Sequence, residues 1–241
     1  MNTDKLSQRL EAVVRYIPKG SRLADIGSDH AYLPCHAVKT GVTPFAVAGE
    51  VVEGPFQSAK QQVEMEGLTE QIVVRKGNGL EVIEAGEVDC ITIAGMGGAL
   101  IASILEAGKE KLESTKRLVL QPNISAISIR TWLLHNGWEL IAEEILEEDD
   151  KIYEILVAEQ GEPHKPYHDL EKGLLLGPFL MKEKSVVFQK KWSAELKNWQ
   201  RILAQLEKAA KTEENDKKRA ELSDKSRMVE EVLQIEKSEW S

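Results

Sequence analysis

The sequence predicts an α/β fold with a mainly parallel seven-stranded sheet and an antiparallel closing strand. Five short apolar segments alternate with helical patterns through the first 135 residues, which is typical of parallel strands joined by helices. Two further strand-like segments, residues 138–146 and 152–159, are joined by a short acidic turn, and so short a turn makes them antiparallel. From residue 161 onward the strand patterns stop and helical spacing follows.

The first predicted element is an amphipathic helix with apolar residues at positions 6, 10, 13, 14 and 17, ended by Pro18 and Gly20. A first strand begins at Leu23 and runs into a glycine turn at Gly27. The other strands of the parallel part are predicted at residues 45–49, 71–75, 88–94 and 117–120, with helices at 57–66 and 125–135.

The loop after the first strand predicts a ligand site, because open α/β sheets bind nucleotide-like ligands at the carboxyl ends of their strands. It contains Asp25, Gly27, Ser28, Asp29 and His30. The dinucleotide fingerprint needs three glycines and this turn has one, while the charge of Asp29 would repel a phosphate. The loop therefore favours a cationic or zwitterionic ligand with a ribose and no phosphate, which describes S-adenosylmethionine.

Later strand ends extend this candidate site. Glu50 follows the second strand and is placed to accept hydrogen bonds from both ribose hydroxyls. Asn78, in a Gly-Asn-Gly turn, is predicted to face the adenine edge, and Gly95 and Met96 lie where the sulfonium end or a substrate approaches the backbone. Each feature alone has an ordinary explanation, since such a turn suits Asn78 for backbone reasons and Met96 could fill core. Their joint order at strand ends favours a cofactor site, and the closing antiparallel pair favours a class I methyltransferase over a dehydrogenase.

Three motifs carry a resemblance to a known family. Residues 25–34 read Asp-Ile-Gly-Ser-Asp-His-Ala-Tyr-Leu-Pro, residues 94–98 read Ala-Gly-Met-Gly-Gly, and residues 120–123 read Leu-Gln-Pro-Asn. Together they resemble the bacterial TrmK family of tRNA (adenine-22-N1)-methyltransferases, and the similarity runs over essentially the whole chain. The resemblance implies a Rossmann-like catalytic domain, S-adenosylmethionine as donor and a helical domain that assists tRNA binding. Asp29 is the candidate for accepting a hydrogen bond from the adenine amine during transfer.

A change in composition predicts two domains, residues 1–160 for the methyltransferase and 161–241 for a helical coiled-coil hairpin. Residues 161–166 contain two prolines and a glycine and read as a linker. Apolar residues at 188, 192, 196, 199, 203 and 206 predict one long helix over about residues 181–211. A second helix, ending near Trp240, should lie antiparallel to it.

The charge distribution bears on the predicted RNA partner. The net charge is −9, which argues against nucleic-acid binding, yet residues 161–241 hold 16 basic against 15 acidic side chains. A basic stripe in the first hairpin helix could follow a phosphate backbone, although a solvated helix face would look the same. The stripe comprises Lys182, Lys184, Lys190, Lys191, Lys197 and Arg201.

The remaining composition favours a cytoplasmic protein without metal or membrane association. Cys35 and Cys90 read as buried free thiols of a reducing compartment, with a catalytic cysteine as the less favoured alternative. No apolar run reaches the length of a membrane span, and the N-terminus lacks the apolar segment of a signal peptide. His164 and His168 have helical ligand spacing, but they lie beside Pro163 and Pro166 and no third ligand is near, which predicts no metal site.

Two alternatives to a tRNA methyltransferase remain open from the residues themselves. One is a non-catalytic adaptor in which a degenerate Rossmann unit carries a protein-binding hairpin. The other keeps methyl transfer and gives it a small-molecule or protein acceptor. Saturable S-adenosylmethionine binding would separate the adaptor from both enzymes.

Overall fold

A computed structural model describes residues 2–209 and 212–234 of the 241-residue chain. The described residues divide into two compact units, with the boundary between Pro166 and Tyr167. This boundary falls at the end of the segment that the sequence predicts as a linker.

The first unit contains a seven-stranded sheet, which confirms the predicted fold class. Its strands are β1 (Leu23–Ile26), β2 (Ala46–Glu50), β3 (Ile72–Lys76), β4 (Cys90–Gly97), β5 (Arg117–Ile124), β6 (Trp138–Glu148) and β7 (Lys151–Gln160). Its helices are α1 (Gln8–Arg15), α2 (Tyr32–Lys39), α3 (Glu53–Met65), α4 (Gly98–Ala107) and α5 (Ala126–His135).

The strand order is β3-β2-β1-β4-β5-β7-β6, and β7 runs antiparallel to both of its neighbours. The first five strands are parallel, so their carboxyl ends lie at one edge of the sheet. The order reverses at β1, since the chain moves outward to β2 and β3 and then returns to β4 on the other side. Ligands bind at such a reversal in open α/β sheets.

Local chemistry explains why these elements begin and end where they do. The hydroxyl of Ser7 caps α1 by accepting from the N–H of Leu10 at 3.3 Å. Asp149 and Asp150 both adopt positive φ, 50° and 59°, which matches the two-residue turn of a β-hairpin between β6 and β7. The predicted acidic turn is therefore confirmed.

Two boundaries differ from the sequence prediction. Helix α3 begins at Glu53 rather than at residue 57, because Pro55 lies in its first turn, where a missing N–H costs nothing. Strands β4 and β5 extend three and four residues further than predicted, through Gly97 and Ile124, and pair across irregular register at Ala94 and Met96. This extension carries glycine-rich backbone beyond the buried part of the sheet.

A buried ion cluster joins α5 to the antiparallel hairpin. Arg130 is fully buried, with Nε donating to Glu143 at 2.7 Å and Nη2 donating to Glu154 at 2.6 Å. Burial alone would lower the pKa of the guanidinium, but the two carboxylates outweigh it and raise that pKa. Removing one member would leave uncompensated buried charge, so the cluster fixes how the hairpin packs.

The second unit is helical in its described residues. Its helices are α6 (Leu170–Leu176), α7 (Leu180–Glu183), α8 (Val186–Lys208) and α9 (Glu213–Leu233). Helices α8 and α9 contact each other, as the predicted hairpin requires, whereas its coiled-coil packing stays a prediction. The predicted helix ends at Lys211 and Trp240 lie outside the described residues.

The single long helix predicted from residue 181 is wrong at its start. Lys184 adopts φ 50° and ends the short helix α7, and the hydroxyl of Ser185 then caps α8 by accepting from the N–H of Phe188. Across the described part of the chain, no helix is both long and apolar enough to cross a membrane.

Candidate functional site

A cavity of about 310 Å³ opens at the carboxyl ends of β1, β2 and β4. It brings together seven of the eight residues that the sequence predicts for the cofactor, and also the catalytic candidate. Its lining comprises Arg9, Leu10, Asp25, Gly27, Ser28, Asp29, His30, Tyr32, Leu33, Glu50, Val51, Ala94, Gly95 and Met96.

Asp25 lies at the floor of this cavity and is almost fully buried. Its two carboxylate oxygens accept from the hydroxyls of Ser28 and Thr92, both at 2.6 Å. Burial raises the pKa of the Asp25 carboxyl, and the two hydroxyl hydrogen bonds oppose that rise. Thr92 is a functional neighbour that sequence reasoning missed, and it reaches Asp25 because the two residues pair directly across β1 and β4.

The loop after β1 turns through three residues with positive φ, Gly27 at 73°, Asp29 at 51° and Ala31 at 54°. The φ of Gly27 favours glycine, and a Cβ there would also require the end of the Met96 side chain to move. Four of the loop's backbone amides already have partners: residues 27 and 28 donate to Gly49 O, residue 29 to Glu50, and residue 31 to Ser28 O. These engaged amides are consistent with the prediction of a phosphate-free ligand.

Glu50 ends β2 and faces the same cavity, with 8% of its surface exposed. Its Oε1 accepts from the N–H of Asp29 at 2.8 Å, and its Oε2 accepts from the N–H of Val51 at 3.1 Å. A carboxylate has about four acceptor positions, so both oxygens can still accept ribose hydroxyls.

Asp29 and His30 form the outer wall of the cavity. The Asp29 side chain is 68% exposed, and its Oδ1 lies 3.7 Å from Nε2 of His30. The His30 ring stacks on Tyr32 with centroids 5.2 Å apart. Asp29 is thus held by its backbone while its carboxylate points out of the protein interior, where a second substrate can reach it.

The glycine-rich end of β4 forms the opposite wall. Gly95 has φ 81°, and its N–H donates to Oε1 of Gln121 at 3.0 Å. The amide nitrogen of Asn123 donates to the carbonyl of Gly95 at 2.7 Å. Residues of the Gln-Pro-Asn motif therefore hold the glycine segment from the neighbouring strand β5, a role that their sequence separation conceals.

Arg9 is the second functional residue that the sequence analysis missed. It lies on α1, lines the cavity, and donates from Nη1 to Oε1 of Gln121. Its guanidinium also lies over the ring of Tyr153, 5.3 Å from the centroid. The sequence gives only a weak indication of this role, since a single arginine on an amphipathic helix is common.

Asn78 does not line this cavity. It follows β3 and lines a separate cavity of about 140 Å³ with Gly79 and Leu80, and its N–H donates to the Glu81 carboxylate at 2.9 Å. Contact of Asn78 with the adenine stays a prediction, which the present side-chain arrangement does not favour.

The six predicted RNA-binding residues do not share one helix face. Lys182 lies on α7 over the ring of Phe179, and Lys184 ends that helix, so neither continues the α8 stripe. Lys191 lies over the Trp192 ring at 4.8 Å. Helical spacing puts an exposed face opposite the buried residues 188, 192 and 196. That face, which we call the α8 basic face, comprises Lys190, Lys197, Arg201 and also Lys208.

The structure gives no support to a catalytic cysteine or to a metal site among the residues that it describes. Cys35 and Cys90 are buried free thiols, as predicted, and burial raises the pKa of each to about 12, which disfavours a nucleophilic role. Among the residues that the structure describes, no three His, Cys, Asp or Glu side chains gather as a metal site would require.

Comparison with known proteins decides between the open interpretations. Residues 23–231 match the family model described as TrmK, tRNA (adenine(22)-N(1))-methyltransferase. This chain belongs to the TrmK family. The predicted family is therefore confirmed.

Individual relatives agree with this assignment. The tRNA (adenine(22)-N(1))-methyltransferase of Bacillus subtilis (strain 168) is 57% identical over 235 residues, which cover 97% of this chain and 99% of that protein. The crystal structure of the B. subtilis m1A22 tRNA methyltransferase TrmK matches with a TM-score of 0.93 and 56% identity, covering 95% of this chain and 99% of that one. A Streptococcus pneumoniae protein in complex with S-adenosyl-L-methionine is 45% identical with a TM-score of 0.85, covering 95% and 100%.

Proposed function

We propose that the cavity described above is the donor site of an S-adenosylmethionine-dependent tRNA methyltransferase that forms 1-methyladenosine at position 22. The family assignment supplies the reaction, and it favours methyl transfer to tRNA over both the adaptor and a non-RNA acceptor. The observation that carries the site is the meeting of Asp25 and Glu50 in one cavity, where the loop amides of residues 27, 28, 29 and 31 are already hydrogen-bonded. A cytoplasmic location suits a tRNA substrate and stays a prediction.

The lining residues fit this donor. Glu50 offers carboxylate oxygens to ribose hydroxyls, and the half-exposed side chain of Val51 offers apolar surface beside it. The carboxylates of Asp25, Glu50 and Asp29 favour a cationic group in the cavity over an anionic one. When bound, S-adenosylmethionine supplies a methyl group on a positively charged sulfur.

The protein has little proton chemistry to perform on the acceptor. Adenine N1 carries an in-plane lone pair and reacts without first losing a proton, so positioning contributes most of the rate. N1 lies on the Watson–Crick edge, and a paired or stacked base must leave its helix to be reached. Asp29, exposed at the rim, accepts a hydrogen bond from the exocyclic amine, which becomes more acidic as N1 gains positive charge.

The α8 basic face is the part of the helical unit best suited to RNA. Its four basic residues lie between positions 190 and 208 of a regular helix, a rise of about 27 Å. No acidic side chain falls on this face within the described helix, whereas on α9 the basic residues Lys225 and Arg227 pair with acidic neighbours. Phosphates can therefore meet the positive charge of Lys197 and Arg201, which lie on the exposed side of α8.

Methyl transfer to a defined tRNA tests this function. An unmodified transcript with adenine at position 22 is incubated with S-adenosylmethionine, and a transcript with guanine at that position serves as the matched control. We expect 1-methyladenosine in nucleosides from the first transcript and none from the second. Equal methylation of both transcripts would contradict the proposed target.

A further inference from the structure

Arg9 is the most unusual member of the cavity lining, because every other charged group there, apart from His30, is a carboxylate. It comes from α1, outside residues 23–231 of the family match. The guanidinium donates from Nη1 to the neutral amide oxygen of Gln121 and lies over the Tyr153 ring. Within the described chain, no carboxylate lies at ion-pair distance from it.

Anchoring on both sides fixes where this guanidinium lies. Gln121 is fully buried, and its Oε1 also accepts from the N–H of Gly95. The carboxylate of Glu148 accepts from the N–H groups of Gln8 and Arg9, at 2.6 and 3.3 Å, which fastens the first turn of α1 to β6. The charge is thus preorganised beside the cavity, where it opposes the rise in the pKa of the buried Asp25 carboxyl but forms no ion pair with it.

The donor needs such a group. Its amino-acid end carries a carboxylate, and a carboxylate taken from water requires a cation or several N–H donors. The amides of residues 27, 28, 29 and 31 already have acceptors within the protein, and so does the amide of Gly95. The His30 ring, the other basic group in the lining, lies on the outer wall beside the Asp29 carboxylate.

We propose that Arg9 binds the α-carboxylate of the methionine part of S-adenosylmethionine. This inference rests on the proposed function, because it takes the cavity to be the donor site. Through Arg9, helix α1 would then contribute directly to donor selection, because ligands without the carboxylate cannot make this contact. It also orients the donor, with the ribose end at Glu50 and the amino-acid end toward Gln121.

Calorimetry with two ligands tests the proposal without any turnover. S-adenosylhomocysteine carries the amino-acid part, while 5′-methylthioadenosine shares its adenosine and thioether but lacks that part. We expect Arg9→Met, which keeps an apolar stem, to weaken S-adenosylhomocysteine binding by about 10-fold to 100-fold. Binding of 5′-methylthioadenosine should change by less than about twofold. Arg9→Lys should restore part of the loss, because a point charge replaces the planar fork.

The matched control is Arg15→Met, which removes an arginine of the same helix that pairs with Glu144 outside the cavity. It should leave both affinities unchanged. Equal weakening of both ligands in Arg9→Met would overturn the proposal and assign Arg9 to cavity structure instead. Unchanged binding of both ligands with weaker tRNA binding would also overturn it and point to an RNA phosphate.

A different pattern of ligand affinities is expected if the cavity is not the donor site. If Glu50→Gln leaves both ligands at wild-type affinity, or if the wild-type protein binds neither ligand, the cavity is not the donor site. Either result also overturns the proposal for Arg9, whereas loss of both ligands in Glu50→Gln combined with selective loss in Arg9→Met supports both conclusions.

Discussion

Oε1 of Glu50 accepts a hydrogen bond of 2.8 Å from the backbone N–H of Asp29. The residue proposed to hold the ribose therefore also holds the loop that carries the residue proposed to contact the adenine. Asp29 adopts φ 51°, a conformation that needs such support in a residue other than glycine. With these proposed roles, we expect donor binding and acceptor positioning to be coupled through this one contact.

Glu50→Gln should weaken donor binding while leaving the fold intact. The amide oxygen can still accept from the Asp29 N–H, but the charge-assisted bonds to the ribose hydroxyls are lost, at a cost of roughly 1.5–3 kcal/mol. Calorimetric titration with S-adenosylmethionine measures the change. Glu53→Gln is the control, since Glu53 pairs with Lys76 and does not line the cavity. Wild-type affinity in Glu50→Gln would remove this carboxylate from the donor site.

Asp29→Asn should lower the transfer rate by about 10-fold to 100-fold at saturating donor, with a near-normal melting temperature. Asparagine tolerates the left-handed conformation but its amide is a weaker acceptor for the adenine amine. Asp29→Ala should lower the transfer rate by a similar factor. It should also lower the stability, because alanine is strained by roughly 1–2 kcal/mol at this φ. Single-turnover kinetics and thermal melts separate the two effects. A variant that transfers at the wild-type rate would show that another group contacts the amine.

Asp25 should make the unliganded protein less stable as the pH rises. Burial raises the pKa of this carboxyl above its ordinary value, with Ser28 and Thr92 opposing the rise. Between the ordinary and the raised pKa the folded state binds more protons than the unfolded state, so the free energy of unfolding falls with increasing pH in that window.

Comparison with Asp25→Asn isolates this contribution, because other carboxylates such as Glu87 have lowered pKa values and act in the opposite direction. As the pH rises above the ordinary pKa of 3.8, the melting temperature of Asp25→Asn should rise relative to that of the wild type. A difference that stays constant, or shrinks with pH, would mean that burial does not govern this titration.

The α8 basic face should control the salt dependence of tRNA binding. Lys197→Gln combined with Arg201→Gln should weaken binding and make the log–log dependence on salt shallower by about two. Lys225→Gln combined with Arg227→Gln is the matched control, because those side chains pair with Glu221 and Asp224 on α9. Gel-shift titrations at several salt concentrations provide the slopes. Equal slopes for the two double variants would identify α8 as a solvated face only.

Much of the fold was predictable because its signals are local. The apolar strands, the acidic turn at Asp149 and Asp150, and the glycine turn at Gly27 each follow from short-range backbone chemistry. The break before α8 was missed because Lys184 gives no helix-stop signal, and its φ of 50° shows only in the folded chain.

The site was predictable where residues follow strand ends, as Asp25 and Glu50 do, because parallel strands bring those ends to one edge. Arg9 and Thr92 were missed because tertiary packing alone brings Arg9 to the cavity and Thr92 to the Asp25 carboxylate. No spacing pattern along the chain links them to the loops that they support.

The structure of the complex with S-adenosylhomocysteine tests the central claim most directly. We predict the ligand in the cavity at the ends of β1, β2 and β4, with both ribose hydroxyls within hydrogen-bonding distance of the Glu50 carboxylate. Ligand density in the smaller cavity lined by Asn78, Gly79 and Leu80, with Glu50 making only its contacts to the amides of Asp29 and Val51, would contradict the account.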